Sequence, residues 1–371
     1  MIQDLYSKLY SFKNLFIAYI RASKGKSKKD YVIEFGKDVS GNLTKLSNEL
    51  RSQTYSPKPL IDFIIRDPKV RTISKSAFVD RIVHHAFHIV VDPLFEKCFI
   101  YDSYANRIGK GTLKAVDRFQ FFLRKVTKNH TKHAFVLKAD IRKYFENVDH
   151  HILLEILGRK IKDEKVLNLT KIILKNFNTN TMKGMPLGNL TSQFWANVYL
   201  NELDQFVKHV LKVKYYIRYV DDFVILDSNK EQLEIYKDAI DKFLQKQLLL
   251  ELHKDKTKII PANRGVNFLG FKIYAHYKII KSQNMKRFHK KSEHFFQQCE
   301  SRKIDYDEVY DFLEGWCAFA NNADTYNFRC KLVEYKNKRF PSPISSKEVN
   351  RLIKFSKPKK QHIKRYFLIT S

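Results

Sequence analysis

Cysteine is scarce and scattered. The four thiols, Cys98, Cys299, Cys317 and Cys330, form no CxxC pair, which excludes a zinc ribbon and a disulfide scaffold and suits a reducing cytosol. No apolar run approaches the ~18 residues that a membrane-spanning helix needs. The segment Met1 to Tyr10 carries Asp4 and Lys8 and has no apolar core, which argues against a signal peptide. The expectation is a cytoplasmic protein with no membrane partner. Acids are few beside bases: 39 Asp and Glu stand against 69 Lys and Arg, a formal charge of +30 on 371 residues. Internal repeats and low-complexity linkers are absent. The chain is 44% hydrophobic and 14% aromatic, so it is not disordered, and its length allows a large core in two or three domains.

So large a positive excess repels itself unless a polyanion shares the field, and nucleic acid is the commonest such partner. A ribosomal or membrane-surface protein shows the same excess, so charge does not separate a binder from an enzyme. Apolar periodicity predicts helices through residues 1–60, a hairpin over 60–74 with a basic tip, helices over 78–98 and 111–128, and a short strand at 135–137. Further helices are expected at 149–160, 163–176, 189–210 and 230–248. Strands are expected over 214–227, 257–261 and 266–275. The basic remainder, 285–371, reads as helical. His84, His85 and His88 share a helix face, but no acidic or cysteine partner is near them, so a metal reading is set aside.

Two segments carry acids inside apolar runs, Ala134 to Phe145 around Asp140 and Tyr215 to Leu226 around Asp221 and Asp222. An Asp at a strand end or turn is ordinarily a cap. Two such segments on a very basic chain point further. Neighbouring carboxylates repel unless a cation lies between them, and hard divalent ions take a few carboxylates plus substrate phosphates. Two ions roughly 3.5–4 Å apart activate a 3′-hydroxyl and stabilise a leaving pyrophosphate. The residues alone lead to metal-dependent phosphoryl transfer on nucleic acid.

Tyr219-Val-Asp-Asp222 resembles the YxDD box of reverse transcriptases, and the segment through Asp140 resembles their first catalytic motif. The ordered set continues with Pro68-Lys69-Val-Arg71, Asp80-Arg81, Tyr101 to Gly111, Lys256-Thr257 and Asn267-Phe-Leu-Gly-Phe271. The resemblance implies an α+β, right-hand polymerase architecture. Residues 1–134 would be N-terminal helices and fingers, 135–280 a palm on an antiparallel sheet with some finger-side helices interleaved, and 281–371 a basic helical thumb. It also implies that Asp140, Asp221 and Asp222 form the catalytic and metal-binding set for two Mg²⁺, with Mn²⁺ able to substitute. Asp140 and Asp221 would be direct ligands, and Asp222 would orient them or supply field. Lys69, Arg71, Arg107, Phe145, Leu187, Gly188, Gln193 and Lys256 would surround the nucleotide, with Phe145 as the sugar gate. Phe268, Leu269 and Gly270 would form the primer grip.

Leu187-Gly188-Asn-Leu-Thr-Ser192-Gln193 departs from the QGxxxSP of intron and retron enzymes and is similar to the reverse transcriptases of diversity-generating retroelements. The blocks Asp4 to Tyr19 and Gly315 to Asn322 are similar to that group as well. This implies synthesis of cDNA from a template-repeat RNA, error-prone at template adenines, for targeted sequence diversification. It implies template RNA, a cDNA or primer and dNTPs as partners, a small basic pentameric helical accessory protein, and a bacterial or phage source. An apolar Leu187 offers no hydrogen bond to a base pair, and apolar contacts discriminate weakly. Three alternatives stand beside this reading. One is a retron-like or antiviral-defence enzyme, and another is a non-catalytic RNA-binding protein on a polymerase fold. The third, an intron-type enzyme with maturase and endonuclease domains, is disfavoured by length.

Overall fold

The computed structural model describes residues 4–66, 70–177, 181–341 and 345–353. Four helices open the chain: α1 (Leu5–Tyr10), α2 (Phe12–Ser23), α3 (Asp30–Gly36) and α4 (Val39–Arg51). Asp4, Ser11 and Asp38 accept from backbone amides at the starts of α1, α2 and α4, the caps that set where these helices begin. A two-stranded ribbon follows, β1 (Ile61–Ile65) and β2 (Arg71–Lys75), then α5 (Phe78–Glu96), α6 (Thr112–Val126) and β3 (Phe135–Asp140). After β3 come α7 (Tyr144–Asn147), α8 (His150–Gly158), α9 (Glu164–Lys175) and α10 (Leu190–Gln205). The strands β4 (Tyr215–Tyr219) and β5 (Asp222–Asp227) precede α11 (Lys230–Leu248) and β6 (Lys258–Pro261). The chain continues with β7 (Val266–Phe268), β8 (Phe271–Ile273), β9 (Lys278–Ile280), α12 (Ser282–Glu300), α13 (Tyr306–Ala320), α14 (Tyr326–Arg339) and α15 (Ser346–Ile353).

Contacts divide the chain into two compact units, one of residues 1–115 and 135–259, the other of 116–134 and everything from 260 onward. This cuts across the three consecutive segments expected from the sequence. The expected palm segment, 135–280, is split after residue 259. The reason lies partly in α6, whose Phe119 packs on Phe268 with ring centroids 5.4 Å apart, so most of this helix belongs with the later chain.

The first unit is organised by a sheet of order β4-β5-β3-β6. β5 pairs antiparallel with both β4 and β3, and its Phe223, Val224, Ile225 and Leu226 are buried. α10 is buried nearly all round, with Phe194, Trp195, Tyr199 and Leu203 inside, the pattern of a helix at the centre of a core. The second unit has its own sheet, β7-β8-β9, and its own apolar cluster around Phe288, Phe296, Val309, Leu313 and Val333. Phe288 stacks on Trp316 at 3.6 Å, so these aromatics are core, as their helical spacing suggests. Among the described residues no helix is long and apolar enough to cross a membrane.

Candidate active site

Strand pairing brings the acids together. β3 ends on Asp140, whose Cα partner across the sheet is Asp222, and Asp222 also faces Tyr219 of β4. Opposed residues of antiparallel strands lie about 4.5–5.5 Å apart at Cα. Val220 and Asp221 form the turn between β4 and β5. Val220 has φ 56°, a conformation that a β-branched residue adopts only under constraint. Its carbonyl accepts from the Arg218 guanidinium at 3.2 Å, and the Asp221 carbonyl accepts from the Ile141 amide at 3.3 Å. Both carbonyls of the turn are therefore held.

A second segment is laid against the end of β3. The His253 amide donates to the Asp140 carbonyl and the Arg142 amide to the Glu251 carbonyl, at 2.8 and 3.0 Å. This brings Lys256 Nζ to 2.7 Å from Asp140 Oδ1. The electrostatics are uneven. Burial, then the neighbouring Asp222, then Asp140 push the Asp221 carboxyl up to about 6, and Lys256 draws it back only in part. A partly buried carboxyl crowded by two others holds surplus negative field, which a cation relieves. Among the described residues no group of three His, Cys, Asp or Glu forms a ready-made cation site. Mg²⁺ takes one or two carboxylates and completes its shell with waters and phosphates. The crowded carboxylates fit such an ion, with Asp140 and Asp221 as the residues to hold it.

The loop before α10 is fastened to the ribbon. The Ser74 amide of β2 donates to the Leu187 carbonyl at 3.1 Å, and Ser76 Oγ donates to Asn189 Oδ1 at 2.8 Å. A Cβ on Gly188, which has φ +108°, would lie 2.8 Å from Ile73 Cγ2, so no larger residue fits that approach. Arg71 is exposed on β2, and Gln193 is half-buried in the first turn of α10. The Met185 amide donates to the Phe145 carbonyl at 2.7 Å, which ties α7 to the same loop. Phe145, Leu187 and Gly188 are thus linked through one set of contacts to the strand that carries Arg71, while Lys69 lies outside the described residues.

Arg107 is placed otherwise than expected. Its Nε and Nη2 donate to the Glu96 carboxylate, and Nη1 donates to the carbonyls of Ile100 and Ser103 at 2.7 and 2.8 Å. Its side chain is 6% exposed. The guanidinium is engaged in tying its own loop. Phe268, Leu269 and Gly270 belong to the second unit. Leu269 (φ 46°) and Gly270 (φ 91°) make the β7–β8 turn, and Phe268 is buried against Phe119, so its ring is core.

The sequence reading missed four residues beneath the acid turn. Arg218 and Asp204 are fully buried and pair through Nε–Oδ1 at 2.7 Å and Nη2–Oδ2 at 2.6 Å. Tyr216 donates its hydroxyl to Asp204 at 2.8 Å, and Arg218 Nη1 also reaches Asn197 Oδ1 at 3.3 Å. The available signal was one charge of each sign inside otherwise buried elements, which burial without pairing makes too costly.

A family model described as "Reverse transcriptase (RNA-dependent DNA polymerase)" matches residues 63–273, more than half of the chain. The chain belongs to the reverse transcriptase family. The α+β polymerase fold expected from the sequence follows from that membership. Among curated proteins, this reverse transcriptase is 24% identical over 351 residues to the group II intron-encoded protein LtrA of Lactococcus lactis subsp. cremoris, covering 73% of this chain and 57% of LtrA. It is 28% identical over 268 residues to protein YkfC of Escherichia coli K12, covering 62% of this chain and 70% of YkfC. The solved telomerase of Candida albicans, in complex with a fragment of telomeric RNA, aligns at 10% identity and a TM-score of 0.48 over 81% of this chain and 67% of that one.

Proposed function

We propose that the chain is an RNA-directed DNA polymerase that extends a primer with dNTPs on an RNA template, with Asp140 and Asp221 holding Mg²⁺ at its centre. The observation that carries this reading is the set of three acids from two distant stretches of chain at one sheet edge, with Asp221 raised by burial and by the other two. A bound divalent ion would supply charge stabilisation at the transferring phosphoryl group and lower the pKa of the attacking hydroxyl. The protein's own residues do the positioning: Arg71 meets triphosphate oxygens, and the Phe145 ring fills the space that a ribose 2′-hydroxyl would need. Lys256 shares the charge of Asp140. Asp140→Asn is expected to abolish incorporation in a primer-extension assay while template RNA binding stays near normal, because removing an acid does not weaken attraction to a polyanion. Retained synthesis overturns the reading.

The finer reading is a diversity-generating retroelement enzyme, error-prone at template adenines and working with a small basic helical partner. The Leu187-to-Gln193 motif supports it. Leu187→Gln is expected to lower misincorporation opposite adenine several-fold, read by sequencing cDNA copied from a defined RNA, and an unchanged error spectrum removes the claim. A second reading, an intron-associated reverse transcriptase, is favoured by the likeness to LtrA. The chain spans only 57% of LtrA's length. Uniform errors across all four template bases favour this second reading.

A further inference from the structure

The Asp221 turn sits on a buried polar assembly. Arg218 is fully buried and spends three nitrogens in different ways. Nε and Nη2 form a fork on Asp204, while Nη1 divides between Asn197 Oδ1 and the Val220 carbonyl. The backbone of Arg218 is also fixed. Its amide donates to the Asp102 carbonyl at 3.0 Å, and its carbonyl accepts from the Tyr104 amide at 3.0 Å. Asn197 in turn donates to the Ala105 carbonyl at 2.8 Å. Nearly every polar group of this cluster is matched, and the arrangement leads outward to a single strained residue, Val220 at φ 56°.

A β-branched residue in that region is strained and persists only where the surroundings impose it. A buried ion pair is weak evidence for stability as such, since apolar residues of the same volume commonly serve as well. The pair's use is therefore sought in what it holds. A planar guanidinium engages a carboxylate bidentately and still presents a donor at a fixed angle to a third acceptor, which an ammonium on a flexible stem does not reproduce. Here the third acceptor is the carbonyl one residue before Asp221.

We infer that Arg218, oriented by Asp204, Tyr216 and Asn197, is a positioning residue that fixes the Val220–Asp221 turn in its metal-binding conformation. It acts through Val220 and touches neither substrate nor ion. The inference rests on the polymerase reading for its catalytic consequence but not for its metal consequence.

Two variants of the full chain test it. Arg218→Lys keeps a buried positive charge facing Asp204 and loses the donor to Val220. The triple variant Tyr216→Phe/Asp204→Leu/Arg218→Met replaces the whole paired set by apolar groups, an exchange that buried ion pairs tolerate without loss of stability. Each is compared with wild type for thermal midpoint, for Mn²⁺ binding by calorimetry without substrate, and for kcat and dNTP KM with their Mg²⁺ dependence. Folded variants are expected to bind Mn²⁺ about tenfold more weakly and to lose kcat tenfold or more, with template–primer affinity unchanged. Val220→Gly, which takes the turn conformation without strain, is expected to restore part of both losses in the Arg218→Lys background.

A folded variant with Mn²⁺ affinity within twofold of wild type overturns the inference. Failure of both variants to fold also overturns it, because the pair then serves the core alone. Wild-type protein that binds Mn²⁺ but extends no primer sinks the polymerase reading and leaves the Mn²⁺ comparison to decide this one.

Discussion

Two acids beside the same hairpin meet opposite surroundings. Asp204 lies under the hairpin with both oxygens engaged by Arg218 and one also by Tyr216. Asp221, at the tip, is partly buried among two further carboxylates, with one lysine too few to offset them. Burial alone therefore does not mark a functional carboxylate. The uncompensated one marks it, because a fold gains nothing from leaving acids crowded unless something cationic is to come.

Neutralising each acid breaks this contrast in opposite directions. Asp221→Asn is expected to lower primer extension by a thousandfold or more and yet to raise the stability of the metal-free protein. Its carboxyl is pushed up from 3.8 to about 6, so the folded state favours the protonated form. The stabilisation that protonation gives is present below pH ~4 and lost as pH rises through about 6, leaving an ionised Asp221 that costs the fold up to about 3 kcal/mol at neutral pH. The gain in thermal midpoint of Asp221→Asn over wild type should be absent near pH 4 and grow to a plateau above pH 6. A gain that does not vary with pH contradicts the assigned crowding.

Asp204→Asn leaves Arg218 buried and half-paired, and the expected loss is about 3–5 kcal/mol, read as a lower denaturant midpoint at pH 7. A loss below about 1 kcal/mol would mean that the pair is relieved by solvent. The smallest effect sharpens the tip itself. Lys256→Met removes a cation that draws Asp221 down, so the pH at which the Asp221→Asn gain reaches its plateau, measured in the Lys256→Met background, should move upward by less than one unit.

Much of the element map was readable because apolar spacing differs between helix and strand, and the helices at 78–96 and 230–248 fall where their periodicity put them. The acids were readable because carboxylates stand out inside apolar strands. Arg218 was not, since a lone arginine before an acidic turn reads as surface charge until burial shows that it has a partner fourteen residues back in the chain. The partner of Arg107 was hidden in the same way, since its motif places it near the nucleotide and says nothing of Glu96 on the preceding helix, which pairs with it. The grouping into units was hidden because it depends on contacts such as Phe119 with Phe268, which no local pattern announces.

That last contact has a consequence for how the molecule is made. Residues 116–134 leave the ribosome long before the strands and helices of the second unit exist. Until then Phe119, which ends fully covered, lacks the Phe268 ring that packs on it. The second unit thus cannot be completed in order of synthesis and must wait for the C-terminal half, a delay during which sticky aromatic surface invites chaperone capture.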